Sequence, residues 1–374
     1  MGFHLPSFEY PPARPDEGYW NPVSSTINWC EEDYYATIYS AEIVNTLTNL
    51  LFIALGVRGI RNCLKYGHDR IFVISFCGYL LVGSGSFAFH STLKYPMQLL
   101  DELSMIYTAT IMCYATFSFS QSRLVRWCLG IALLFLAVFI TLYYHYLQDP
   151  NFHQNTFALL LITIMARSTW VMEVNLRPSL REKYGSKSQK GIDSGSVTVA
   201  DRLENDIRDR ATLKNMYAMV ALGLAIFLGG FGFWNLDNHF CSTLRSWRHQ
   251  IGLPWGILLE GHGYWHLMTG VGAYYYIVWA IWLRHCLNER QDEYVLDWTS
   301  IFRLPEVISM EDADRKRAPK WTNGYTNGYT HSYTDDYTDD EHNDGHTNGH
   351  TLTNGNRTNG NGRGHGSREG RKRT

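Results

Sequence analysis

The sequence predicts an all-α integral membrane protein: a seven-transmembrane helix bundle followed by a disordered C-terminal tail. Three observations carry that expectation. The 374 residues fall into two unlike parts, because only eight of the 64 residues from Glu311 to Thr374 are apolar or aromatic, against about half of the preceding 310. A mean hydropathy of −0.22 averages over both parts and hides the contrast. The first part holds long uncharged apolar runs, and the chain has 12 Trp and 24 Tyr, which argues against a soluble two-domain protein. A net charge of −2, from 33 basic and 35 acidic side chains, gives no nucleic-acid footprint.

Seven segments approach the roughly 20 residues a helix needs to cross the hydrocarbon core. They run from Ala41 to Leu64, Ile71 to Phe89, Met97 to Phe119, Leu124 to Tyr146, Phe152 to Val174, Met216 to Asn235 and Trp255 to Leu283. Residues 1–39 contain Pro11, Pro12, Pro15 and Pro22 but no apolar stretch like that of a cleaved signal, so the first span is expected to target the chain. The organisation is thus an N-terminal segment over 1–39, a bundle over 40–290, a juxtamembrane segment over 291–310 and the tail over 311–374.

Lys and Arg set the orientation, since cytosolic loops collect them. Arg58, Arg61, Lys65 and Arg70 surround the first connection, Arg123 and Arg126 lie in the third, and nine basic residues fall between Arg177 and Lys214. The second connection has only Lys94, the one at Gln148 to Asn151 has none, and the sixth has Arg245 and Arg248. The N-terminus is therefore expected in the lumen and the C-terminus in the cytosol. Cys30 and Cys241 then share the oxidising side and are expected to be bonded, whereas Cys63, Cys77, Cys113, Cys128 and Cys286 fall in or beside spans.

The tail repeats Tyr-Thr-Asn-Gly from Tyr325 and then turns to Asp pairs and a Gly, Asn, His and Arg mixture, which buries too little apolar area to order. Its histidines read as solvated, and the Asn356-Arg357-Thr358 triplet, on the cytosolic side, as unglycosylated. The Ser, Lys and Asp-rich connection from Asn175 to Lys214 reads as mobile.

Ionisable groups are costly in apolar spans, so each raises a functional hypothesis. In Glu260-Gly-His262-Gly-Tyr-Trp-His266, four residues of helix put both imidazoles on one face, where they can reach one metal ion or simply pack as core histidines. Ser86-Phe-Ala-Phe-His90 repeats the spacing, and Asp101 and Glu102 open the next span; for Glu102 the favourable place of an acidic residue in a first helical turn is reason enough. The topology brings His90, Asp101, His262 and His266 to one depth. Three imidazoles leave tetrahedral Zn²⁺ one open position, the arrangement of catalytic zinc. Asn28-Trp29-Cys30-Glu31-Glu32-Asp33 and Glu42 concentrate the hard oxygen donors that Ca²⁺ takes, without EF-hand spacing; a solvated acidic face is the bland alternative. Arg167 and Glu173 read as a head-group contact, a structural ion pair or snorkelling side chains, and Tyr143, Tyr144, Tyr146 and Tyr274 to Tyr276 with Trp279 as interfacial belts. There is no Walker loop, dinucleotide fingerprint or Gly-x-Ser-x-Gly elbow, so no nucleotide partner is expected.

With these blocks in hand, the chain resembles the alkaline ceramidase family over most of residues 18 to 290. The resemblance rests on Gly18-Tyr-Trp-Asn-Pro-Val-Ser-Ser-Thr, Trp29-Cys30-Glu31-Glu32, Ser86-x-x-x-His90 with Leu93-Lys94-Tyr95, Gln98-Leu-Leu-Asp101-Glu102-Leu, and Gly261-His262-x-x-x-His266. It implies seven membrane helices in the endoplasmic reticulum or Golgi, membrane lipid around them, and zinc-dependent hydrolysis of ceramide to a sphingoid base and a fatty acid; chemistry permits the same site to run in reverse when both products are concentrated in the bilayer. It implies His90, His262 and His266 as zinc ligands, Asp101 as general base and then general acid, and Ser86 as a hydroxyl steadying the oxyanion. It also implies a Cys30–Cys241 disulfide and a calcium site on Asn28, the Trp29 carbonyl, Glu31, Asp33 and Glu42. Here the chain departs from the family pattern, with Asn28 and Asp33 where Asp and then Asn are usual. Two rival readings are a seven-span protein of the adiponectin and progestin receptor type with structural zinc, and a proton-relaying transporter.

Overall fold

The computed structural model describes residues 6–184 and 199–317. Helix α1 (Ile43–Thr48) runs through Asn49 into α2 (Leu50–Tyr66) as one span of 24 residues, followed by α3 (Arg70–Thr92) and α4 (Tyr95–Phe117). Then come α5 (Arg123–Leu147), α6 (Pro150–Leu176), the short α7 (Pro178–Tyr184), α8 (Val199–His239), α9 (Cys241–Ile251) and α10 (Gly261–Leu287). A two-stranded sheet, β1 (Tyr294–Asp297) and β2 (Glu306–Ser309), and α11 (Met310–Arg317) close the described chain.

Local chemistry sets these boundaries. Gly67, in the left-handed region at φ 64°, ends α2, and its N–H donates to the Cys63 carbonyl. The Ser122 hydroxyl accepts from the Val125 N–H to cap α5, and Pro150 opens α6 beneath an Asp149 cap. Helix α3 packs between α2 and α4, α10 lies along α8, and α6 lies against α4. Gly83 makes the α2–α3 approach possible, because a Cβ there meets the Phe52 Cβ at 2.3 Å. Phe76, Ile106, Met172, Tyr274 and Trp279 fill the centre, all essentially inaccessible.

Among the described residues, five helices are long and apolar enough to cross a membrane: 43–66, 70–92, 123–147, 150–176 and 202–239. Helices α4 and α10, of 23 and 27 residues, match them in length. Their hydropathy is lowered by the side chains of functional interest, Gln98, Asp101 and Glu102 in α4 and His262, His266, Arg284 and His285 in α10.

Several expected boundaries move. The last long helix starts at Gly261 rather than Trp255, since Glu260 has non-helical backbone and its carboxylate is held by the Tyr10 hydroxyl at 2.9 Å and Arg248 at 2.8 Å. Residues Trp255–Leu259 form a 3₁₀ turn instead. The connection expected to be mobile from Asn175 to Lys214 is helical over 178–184 and from 199 onward, because Arg181 of α7 pairs with Asp206 at 2.9 Å and with Asp209 of α8. The juxtamembrane segment is an antiparallel hairpin with Tyr294 opposite Ser309. The tail, expected to be disordered from Glu311, starts helical to Arg317, tied by Lys65–Asp312 at 2.6 Å and Lys316–Asp297 at 2.7 Å. The Tyr-Thr-Asn-Gly repeat, the tail histidines and the Asn356 triplet lie outside the described residues.

Candidate active site

The imidazoles of His90 on α3 and of His262 and His266 on α10 meet as a buried cluster. Their ring centroids stand 5.1 Å (His90–His262), 4.7 Å (His90–His266) and 4.6 Å (His262–His266) apart. One nitrogen from each lies within 4.8 Å of the others, and all three residues are 5 % exposed or less.

Two of the rings are oriented from behind. His90 Nδ1–H donates to Glu42 Oε2, which leaves Nε2 with its lone pair free for the pocket. His266 Nδ1 lies 3.0 Å from the Thr48 hydroxyl, which itself donates to the Val44 carbonyl at 2.9 Å, so the ring nitrogen is the donor in that pair and Nε2 is again free. His262 Nδ1 is buried with no protein partner. Three nitrogen donors of this type, one of them an orphan, fit Zn²⁺.

Beside the imidazoles, the Ser86 hydroxyl accepts from Asn49 Nδ2 at 3.0 Å. Asn49 Nδ2 lies 3.3 Å from His266 Nδ1, but with the proton on that ring nitrogen both atoms are donors, so Asn49 serves Ser86 and not the imidazole. The α3–α4 contact is closest here: a Cβ on Gly85 would meet Asp101 N and the Leu100 C and O at 3.1 Å. Glycine thus lets the strip carrying Asp101 lie directly on the strip carrying Ser86 and His90.

The N-terminal segment covers the pocket. Asn28 Nδ2 donates to Asp33 Oδ2 at 3.0 Å, the Trp29 N–H donates to Glu42 Oε1 at 3.2 Å, and the Trp29 carbonyl accepts a long contact from Arg245 at 3.4 Å. Glu31 turns away, its two carboxylate oxygens accepting the Val44 and Asn45 N–H groups of α1 at 2.7 and 2.8 Å. Burial pushes the Glu31 carboxyl well above the usual range, raises Asp33, and pushes Glu42 up to about 7. Among the described residues only the three imidazoles bring ligand atoms of three such side chains within 4.8 Å of one another; Glu31, Asp33 and Glu42 do not converge in that way. Cys30 and Cys241 bring their sulfurs to 2.26 Å with Cα atoms 5.4 Å apart. The fully buried Arg248 donates to the Cys30 carbonyl at 2.9 Å and pairs with Glu260 and with Asp237 at 3.4 Å.

The structure corrects two smaller expectations and, for Glu173, selects the structural ion pair among the alternatives. Helix α4 starts at Tyr95, so Glu102 lies two turns in, buried, bonded to Tyr144 and accepting from Gln98 at 3.1 Å rather than facing the helix dipole. Tyr144, Tyr274, Tyr275 and Trp279 are core side chains, not interfacial belts, because their elements face inward at those positions. Arg167 stacks over Phe117 at 5.5 Å, while Glu173 pairs with Arg177 and Tyr217. Sequence reasoning passed over Thr48 and Asn49, although Asn45, Thr48 and Asn49 form a polar stripe at helical spacing within an apolar run.

The sequence profile described as ceramidase matches residues 21–308. The chain belongs to the ceramidase family. The matched stretch contains every residue of the imidazole pocket and its N-terminal cover, and stops before the tail. Among ceramidase relatives, the chain is 33 % identical over 278 residues to alkaline ceramidase 3 of Mus musculus, covering 73 % of this chain and 89 % of that protein. It is 32 % identical over 278 residues to alkaline ceramidase YPC1 of Saccharomyces cerevisiae, covering 70 % of this chain and 77 % of that one.

Proposed function

We propose that this chain hydrolyses the amide bond of ceramide, releasing a sphingoid base and a free fatty acid, with zinc held by His90, His262 and His266. The observation that carries the reading is the convergence of three buried imidazoles from two helices, next to the place where α3 and α4 approach most closely at Gly85 and Asp101. When bound, zinc supplies a Lewis acid and lets a water lose its proton near neutral pH.

The chain's own residues do the rest. Glu42 and Thr48 hold the His90 and His266 rings in one tautomer and one orientation. Asp101 takes the proton of the attacking water on its carboxylate and returns it to the departing amine nitrogen. Ser86, pinned by Asn49, fixes the Asp101 carboxylate, and swings its hydroxyl to the carbonyl oxygen once Asp101 is protonated. Because the proton is handed over and then returned, the same groups serve condensation when amine and fatty acid are both concentrated in the bilayer.

Seven spans follow if α4 and α10 are added to the five apolar helices, which puts the pocket and its cover in the lumenal third of an endoplasmic reticulum or Golgi membrane and the hairpin in the cytosol. Asn28, the Trp29 carbonyl, Glu31, Asp33 and Glu42 are the residues that would hold calcium, which would neutralise the acidic loop over the pocket. A Cys30–Cys241 disulfide locks that loop to α9.

The test is release of fatty acid from labelled ceramide by purified protein, with metal content measured on the same sample. One zinc per chain, with release abolished in His262→Ala and Asp101→Ala at intact fold, supports the reading; undiminished release in either variant removes the mechanism.

A further inference from the structure

Trp29 stands apart from the other residues of the cover because two of its groups face different tasks. Its main-chain carbonyl belongs to the acidic loop, while its indole packs on the pocket. The ring lies 4.4 Å from the His262 imidazole, tilted by 32°, and Trp234 closes its far side at 5.9 Å. The indole Nε1–H is buried and has no hydrogen-bond partner in the protein. A buried indole N–H ordinarily finds an acceptor, and leaving one unmet is costly. An orphan donor packed against a proposed zinc ligand marks a place where an acceptor arrives with the substrate.

The chemistry narrows that acceptor. An indole N–H donates only. The amide oxygen of the substrate belongs to the zinc and Ser86 side of the pocket under the reading above, on which this inference rests. Trp29 belongs to the N-terminal segment and packs against the small cluster of Tyr34, Ala41, Phe89 and Leu93, apart from the main core of the bundle. The acceptor that ceramide offers there is the oxygen of its primary hydroxyl, at the end of the head group away from both chains. We propose that Trp29 Nε1–H binds the primary hydroxyl of the sphingoid head and makes Trp29 a specificity-determining residue, separate from whatever its carbonyl holds.

The experiment compares hydrolysis of ceramide with that of an analogue lacking the primary hydroxyl, in the full-length wild type and in Trp29→Phe. Phenylalanine keeps an aromatic ring and the main-chain carbonyl but deletes the donor. One neutral hydrogen bond corresponds to a factor of about 3 to 10. Wild type is expected to favour ceramide by that factor in kcat/KM. Trp29→Phe is expected to raise KM for ceramide by the same factor, to leave the calcium dependence of activity in place, and to treat the two substrates alike. A wild type that hydrolyses both substrates equally overturns the proposal without any variant, and so does a Trp29→Phe protein that keeps the wild-type preference. His262→Ala tests the underlying reading separately: loss of both activities upholds it, while full activity removes it whatever the substrate ratio.

Discussion

Glu42 joins the two halves of the site through His90. One carboxylate oxygen accepts from His90 Nδ1 and the other accepts the main-chain N–H of Trp29 at 3.2 Å, while the Glu42 N–H returns to the His90 carbonyl at 3.0 Å. A side chain without a place in the helical bundle proper therefore orients a candidate zinc ligand and holds the loop above it. Replacing it disturbs both at once.

Glu42→Ala is expected to weaken zinc retention by about 10- to 100-fold, the usual effect of deleting a carboxylate behind a ligating histidine. Zinc per chain after dialysis against graded chelator measures this. Retention equal to wild type contradicts the assigned role.

Gly85→Ala tests the α3–α4 approach. The new methyl group meets backbone at 3.1 Å, where no flexible end can give way, so α4 shifts by a few tenths of an ångström under Asp101. Misplacing a catalytic group by about 1 Å costs up to 100-fold in rate, so a fall in kcat of about 10-fold with zinc content unchanged is expected. Steady-state kinetics paired with metal analysis separates this from loss of the metal.

Arg248 tests the cover. Its side chain is fully buried between Asp237 and Glu260 and bonded to the Cys30 and Leu259 carbonyls. Arg248→Met strands two buried carboxylates, and breaking such a cluster costs about 3–5 kcal/mol. A lower Tm in detergent, with activity lost before the far-ultraviolet helical signal, is the expected result.

At the opposite end of the helices, His68 is buried against the hairpin, with Nε2 3.2 Å from the Val307 carbonyl and Nδ1 2.9 Å from His285 Nε2. Burial lowers the His68 pKa below its ordinary value. A histidine that resists protonation when folded binds more protons when released, so the stability it contributes is whole above about pH 6.5 and is lost as pH falls below that value. The Tm is expected to drop between pH 7.5 and 5.5, and less so in His68→Gln. Equal drops in the two proteins refute the assignment.

Much of this architecture was legible in the chain. Apolar runs of about 20 residues are a solubility constraint written locally, and they located the long helices without any tertiary information. The three histidines, Ser86 and Asp101 stood out because an ionisable or hydroxyl group in an apolar run has few reasons to be there. Thr48 and Asn49 were less conspicuous because uncharged polar residues are common in spans, and their importance lies in what stands 218 and 37 residues away, the His266 ring and the Ser86 hydroxyl. Arg248 and Glu260 were hidden for a related reason: a charge near a span end reads as solvated until its partners from 30 and 237 are seen to enclose it.

The sequence alone determined the helical membrane class, the set of candidate metal and catalytic side chains and the cysteine pair, because these follow from composition and spacing along one chain. Tertiary structure decided which nitrogen of His90 and His266 faces the pocket, that Asn49 donates to Ser86, that Glu31 turns to α1, and that the Trp29 indole is left without a partner. Those facts depend on atoms brought together from distant elements, and hydrogen bonds act only at about 3 Å, a range that no regular spacing within a single helix encodes.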